Sequence, residues 1–141
     1  MVIRKIKTSD SEKISDLLTQ LEYPDSAPFL QRKIRLLADN PNEHAVVAVD
    51  ELDEVVGFIS IHIIAQIALE KDFARISYFC VDESRRSAGI GKLLEENCEK
   101  VARANNCDRI EVHCHSRREK AHLFYYRQGY AESPKYLIKK L

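Results

Sequence analysis

Residues 85–94 read RRSAGIGKLL, and this stretch joins two different hydrophobic patterns. Before it, ARISYFCV at about 74–81 is a β-branched and aromatic run that reads as a strand. After it, Ile90, Leu93, Leu94, Cys98, Val101 and Ala102 form one apolar stripe of a helix from about Gly89 to Asn105. Gly89 and Gly91 leave no side chain between the backbone and a ligand. The first turn of the helix offers unpaired N–H groups and the positive end of its dipole. Arg86 and Lys92 add full charges, so the junction is an anion site that suits a pyrophosphate. Residues 108–115 (DRIEVHCH) alternate, with Ile110, Val112 and Cys114 on one face and Glu111, His113 and His115 on the other. Strand, helix and strand then form a right-handed βαβ unit with two parallel strands.

Two better-known phosphate loops do not fit. A Walker loop needs G-x-x-x-x-G-K-[ST], but Gly91-Lys92 lacks the earlier glycine and is followed by Leu93. A dinucleotide fingerprint needs Gly or Ala where Leu94 stands.

Outward from this unit, residues 2–7 read as a strand. A helix follows, with Ser9 and Glu12 as its capping box and Ile14, Leu17, Leu18 and Leu21 on its inner face. Tyr23-Pro24-Asp25-Ser26 breaks it, and a second helix spans about 28–39 with Leu30, Ile34 and Leu37 inward. Strands follow at 44–49 and 55–64, and a last helix at about 117–128 is stopped by Gly129. A closing strand pair is expected to bracket Ser133-Pro134. The order βααβββαβαββ is α/β (α+β): a mixed, mostly antiparallel sheet flanked by helices around the central βαβ unit.

At 141 residues the chain is expected to be one domain, large enough for a core without disulfides or a structural metal. Its 22 Lys+Arg against 22 Asp+Glu argue against bulk binding to nucleic acid or an anionic membrane. The longest stretch without a charged residue, Val55 to Leu69, is too short to span a bilayer. With no signal-peptide pattern at the start, a cytoplasmic location is expected. Cys80, Cys98, Cys107 and Cys114 form no C-x-x-C pair and read as reduced core residues. His113-Cys114-His115 lacks a fourth ligand and alternates faces, so no metal site is expected.

A second stretch, AHLFYYRQGY at 121–130, sits on the last helix with Ala121, Phe124 and Tyr125 on one face. Together, the two stretches resemble the GNAT superfamily of acetyl-CoA-dependent N-acetyltransferases. Arg86, Gly89 and Gly91 match its R/Q-x-x-G-x-G/A signature, and Ala121, Phe124, Tyr125, Gly129 and Tyr130 match its A-x-x-F-Y-x-x-x-G-F/Y motif. The order of elements agrees along essentially the whole chain.

The resemblance implies that acetyl-CoA is the co-substrate. Its pyrophosphate would rest on the backbone of Arg86, Ser87, Ala88, Gly89, Ile90, Gly91 and Lys92. Pantetheine would run along Phe79, Cys80 and Val81, where the strand splays from its parallel neighbour. Tyr125 matches the family tyrosine that faces the CoA sulfur, and its phenol would protonate the leaving thiolate. The acceptor would be the amine of a small molecule, lined by Tyr23, Glu70, Asp72, Tyr78 and His115, and the assembly a homodimer. Glu70, Asp72, Glu111, His113 and His115 are all candidates to take the amine proton, and the sequence does not choose among them. Ser87 and Ala88 stand where the family often has Gly and a basic residue, and His115-Ser116 where many members have Asn. The alternatives are a protein amino-group acetyltransferase and a non-catalytic CoA sensor on the same fold.

Overall fold

The computed structural model describes residues 1–133 and 136–141. It divides into two compact units, Met1–Glu111 and Val112–Leu141.

The first unit is built on a sheet of order β1-β2-β3-β4-β5. β1 (Val2–Lys5), β2 (Glu43–Val49), β3 (Val55–Ile64) and β4 (Asp72–Val81) pair antiparallel in sequence order. β5 (Cys107–Val112) lies beside β4 and is reached through a fifteen-residue helix. Such a crossover is what parallel neighbours require.

Alternation along the strands divides the sheet into two apolar faces. On one, Val47, Phe58 and Cys80 pack with Ile14, Leu17 and Leu18 of α1 (Ser11–Gln20) and Leu30 and Ile34 of α2 (Ala27–Ala38). α3 (Ile90–Ala104) covers the opposite face with Ile90, Leu94, Cys98 and Ala102 buried. Gly57 permits its close approach. A Cβ there would lie 3.2 Å from Leu94 Cδ1, 3.4 Å from Ile90 Cγ2 and 3.1 Å from the Cys80 carbonyl.

The start of α1 differs from the sequence expectation. Thr8–Asp10 is a 3-10 turn, and Asp10, not Ser9, closes it by accepting the Lys7 N–H at 2.7 Å. Arg4 grips the same carboxylate with two hydrogen bonds of 2.9 Å, which is why Asp10 prevails over the Ser9–Glu12 box. The α1–α2 break holds, with positive φ at Glu22 and Asp25 and Pro28 in the first turn of α2.

In the second unit, α4 (Glu119–Arg127) ends at Gly129, whose φ is +93°. The Tyr130 N–H then reaches back to the Tyr125 carbonyl at 3.0 Å, as a glycine-terminated helix does. β5 stops at Val112, so His113, Cys114 and His115 are not in a strand. Local contacts take them instead. The His113 ring stacks on Tyr136 at 4.3 Å, and His115 Nδ1 accepts the Arg117 N–H at 3.1 Å. The expected closing strand pair is not present in residues 130–133 or 136–141, and Pro134 lies outside the described residues.

Candidate active site

The anion loop is anchored by one buried carboxylate. The Asp82 N–H donates to the Val56 carbonyl at 2.9 Å, fixing the end of β4 against β3. Its side chain accepts from Lys13 Nζ at 2.6 Å, Ser84 Oγ at 2.8 Å and the Ser84 N–H at 3.0 Å. The Lys13 hydrogen bond is the main reason its acidity is strengthened, to a pKa of about 2. From this anchor the exposed segment 83–89 runs outward.

Ser87 and Gly89 hold left-handed backbone, with φ of +66° and +79°. The first bond of α3 runs from the Leu93 N–H to the Gly89 carbonyl at 3.1 Å. The amides of Ile90, Gly91 and Lys92 precede it, so they are the orphan donors of a helix start. A Cβ on Gly89 would meet nothing within 4 Å, so the chain leaves open space where α3 begins. Arg85 lies 3.6 Å from Asp50 and Lys92 3.8 Å from Glu96, and such long, exposed pairs hold their charges weakly. Arg86 stays exposed while its Nε donates to the Val81 carbonyl at 3.3 Å. Amides, open space and cations fit an anionic pyrophosphate.

β4 carries a feature the sequence did not announce. The register passes from Ser60↔Tyr78 to Ile61↔Ile76, so Ser77 is an extra, unpaired residue. Ile76 therefore falls on the α3 face, whereas Tyr78 shares the α1–α2 face with Ser60. There the Tyr78 ring meets Tyr23 of the α1–α2 break edge to face, centroids 5.2 Å apart. Tyr23 is 51% and Tyr78 41% exposed, so the two expected pocket residues form an aromatic wall that still faces solvent.

Beyond Ser60 the same face becomes charged. Glu43, His62 and Arg75 stand in register across β2, β3 and β4, and Arg75 reaches Glu111 of β5 at 3.4 Å. Glu111 is held again by Arg109 at 2.7 Å, and Arg109 lies over the Phe73 ring at 4.4 Å. Two arginines thus occupy Glu111. Glu70 and Asp72 lie at the opposite end of β4 from Tyr78, about 20 Å away along an extended strand for Asp72. Asp72 faces Cys107, whose thiol pKa burial, chiefly, and Asp72 push up. The structure therefore joins Tyr23 with Tyr78 but separates them from Glu70 and Asp72. His115 and Tyr125 belong to the second unit, where Tyr125 packs 5.4 Å from Phe124 and 5.3 Å from Tyr130.

The sequence reading missed the Ser77 bulge, the Lys13–Asp82 anchor and the Glu43–His62 pair. A glycine inside the strand run VVGFISIHII was a legible sign of close helix approach. The bulge and the Glu43–His62 neighbours depend on strand register, and the Lys13–Asp82 anchor on how α1 packs against the end of β4.

Residues 12–130 match the model of the acetyltransferase (GNAT) family. Solved structures match over nearly the full length. A Bacillus halodurans protein solved as a tetramutant is 25% identical, with 100% of each chain covered and a TM-score of 0.87. A transcriptional regulator from Bacillus halodurans C-125 is 20% identical over 99% of each chain, with a TM-score of 0.90. Glucosamine-6-phosphate N-acetyltransferase from Arabidopsis thaliana is 19% identical over 99% of this chain and 97% of that one, with a TM-score of 0.84. The fold and the family match together define an acyltransferase of the GNAT type. The chain belongs to the acetyltransferase (GNAT) family.

Proposed function

We propose that the protein moves an acetyl group from acetyl-CoA to the primary amine of a small molecule, by direct attack within a ternary complex. The left-handed Gly89 carries this reading, because it opens α3 beside open space and ahead of the three amides that precede the first helical hydrogen bond. In that role the loop Arg86–Lys92 holds the pyrophosphate, and Phe79, Cys80 and Val81 guide the pantetheine arm. The half-exposed pair Tyr23 and Tyr78 supports a small, partly apolar acceptor beside the β4 bulge. The amine loses a proton and attacks the thioester carbonyl. The oxyanion that forms needs N–H donors, which the strand backbone at the bulge can offer. When the C–S bond breaks, Tyr125 gives its phenolic proton to the thiolate and is reprotonated through solvent as the nitrogen sheds its second proton, a role supported by its place in the second motif.

Calorimetric titration with acetyl-CoA tests the reading, with Gly89→Glu as the variant. The positive φ costs any side chain about 1–2 kcal/mol, but no atom obstructs one, so the variant should stay folded. Saturable binding to the wild type, lost in the folded variant, is the expected result. A folded wild type that binds no acetyl-CoA would overturn the proposal.

A further inference from the structure

The sheet carries three arginines, and two of them are fully engaged. Arg4 of β1 donates to Asp53, Asp10 and the Lys5 carbonyl at 2.8 to 3.1 Å. Arg109 of β5 donates to Glu111, Gln66 and Asp108 at 2.7 to 2.9 Å. Arg75 of β4 is held far less. Its one hydrogen bond to a described residue is long, 3.4 Å from Nη2 to Glu111 Oε1. Its Nε–H is buried and bonds nothing among the described residues. Nη1 bonds none of them either, but it is not buried, so it faces solvent. A guanidinium keeps its charge at any working pH, so Arg75 is a fixed cation with most of its donor fork unfilled.

Glu111 does not settle that charge. Arg109 holds Glu111 Oε2 with both Nε and Nη2 at 2.7 Å, and Arg75 meets only the other oxygen. Glu43, the other carboxylate of the row, stands two strands away with His62 between, about 10 Å from backbone to backbone. Arg75 shares a face with the tyrosine wall. It pairs with His62, two residues along β3 from Ser60, and Ser60 pairs with Tyr78. That is about 7 Å along the strand. The Arg75 guanidinium leans further from Tyr78, its Cζ 5.4 Å from the centre of the Phe73 ring. Between the two, Ser60 is only 9% exposed, yet its hydroxyl bonds no described residue and is not buried. An open hydroxyl and an open guanidinium edge therefore continue the face that begins at Tyr23 and Tyr78.

Resting on the acetyl-transfer reading, we propose that the acceptor is an elongated amine with an oxyanion group, a carboxylate or a phosphate, at its far end, and that Arg75 takes that group. The amine end lies against Tyr23 and Tyr78 beside the bulge. The oxyanion accepts from Nη1 and from the second hydrogen of Nη2, the first being spent on Glu111. These charge-assisted bonds give the partly buried guanidinium the partner that the chain withholds. A simple alkylamine leaves Arg75 as it is, and a diamine sets a second cation beside it, so the site discriminates by charge. Arg75 touches the acceptor but not the reacting atoms, so it acts on binding more than on chemistry.

The test uses the full chain, acetyl-CoA and four amines of one chain length: ε-aminocaproate, aminohexyl phosphate, hexylamine and hexamethylenediamine. The wild type should acetylate at least one anionic probe with a kcat/KM about ten-fold or more above that for hexylamine, and the better of the two names the oxyanion. In Arg75→Gln that probe should lose about 10- to 100-fold, mainly through KM, and its lead over hexylamine should vanish. Arg75→Lys keeps the charge without the planar fork and should recover part of the loss. A urea midpoint and a calorimetric acetyl-CoA titration on each variant should match the wild type, since the buried Nε–H bonds nothing in the fold.

A wild type that prefers hexylamine or the diamine to both anionic probes would overturn the proposal, as would an equal loss toward all four amines in Arg75→Gln. Acetyl-CoA binding without turnover of any amine would sink amine acetylation, and Arg75 would then be judged by calorimetric titration with the two anionic probes. Binding to the wild type that Arg75→Gln lacks would uphold the oxyanion site, and no binding would remove it. Absence of acetyl-CoA binding would instead locate the failure in the loop reading, with the same titration deciding Arg75.

Discussion

At the scale of single residues, two positions divide the proposed chemistry. Gly89 contributes by having no side chain and Tyr125 by one phenolic proton. Their roles separate experimentally, since only the loop bears on binding the donor. Tyr125→Phe keeps the ring that packs against Phe124 and Tyr130 and removes only the hydroxyl. Its expected effect is a fall in kcat of roughly 100-fold or more, with acetyl-CoA affinity within two-fold of the wild type. Stopped-flow or steady-state release of CoA thiol would measure it. Unchanged turnover would remove the acid assignment and leave solvent to protonate the thiolate. The glycine and the tyrosine were legible in the sequence because each acts within its own short stretch. The Glu43–His62 neighbours were not, because the two lie in different strands and only the β2–β3 register brings them together.

At the scale of elements, the site depends on how closely α3 lies on β3. Gly57 sets that distance, with Leu94, Ile90 and the Cys80 carbonyl all within 3.4 Å of where a Cβ would stand. Gly57→Ala should push α3 outward and cost about 1–3 kcal/mol, as overpacking of a core does. Because α3 carries the loop amides at its start, the variant should also bind acetyl-CoA more weakly. A urea midpoint and a calorimetric titration on the same preparation would check both effects, and a stable variant of wild-type affinity would contradict the argument. The helices and most strands were readable from periodicity, since Ile14, Leu17, Leu18, Leu30, Ile34, Leu94 and Cys98 repeat at helical spacing and are buried. The pattern failed where local polar contacts competed with it. Asp10 took the α1 start from Ser9, and His113 and His115 left the alternation of β5 for a ring stack and a turn. The bulge was invisible because Ser77 fits a strand as well as any serine, and only the partner register exposes it as an extra residue.

At the scale of the whole molecule, two buried carboxylates tie α1 to the sheet, and one of them also holds the loop. Asp10 loses favourable hydration through burial, but the Arg4 pair and the Lys7 N–H outweigh that and leave its pKa below the usual value. Asp82 falls from an ordinary 3.8 to about 2, chiefly through Lys13 of α1. Both groups bind a proton more weakly folded than unfolded, so their stabilisation is present above the ordinary carboxylate range and is lost as pH falls through the folded values. For Asp82 the window runs from about pH 4 down to about 2, and its share is about 2 kcal/mol. The urea midpoint should therefore fall steeply across that window. In Asp82→Asn it should be lower at pH 7 and flatter between pH 4 and 2. Acetyl-CoA affinity at pH 7 should fall in the same variant, because the Asp82 carboxylate fixes the turn from which the loop departs through Lys13 and Ser84. A variant that loses stability but keeps full affinity would mean that the loop holds its shape without the anchor. The left-handed Ser87 and Gly89, with the Glu83 N–H on Gln20 and Arg86 on the Val81 carbonyl, would then keep the amides of α3 ready for an anion.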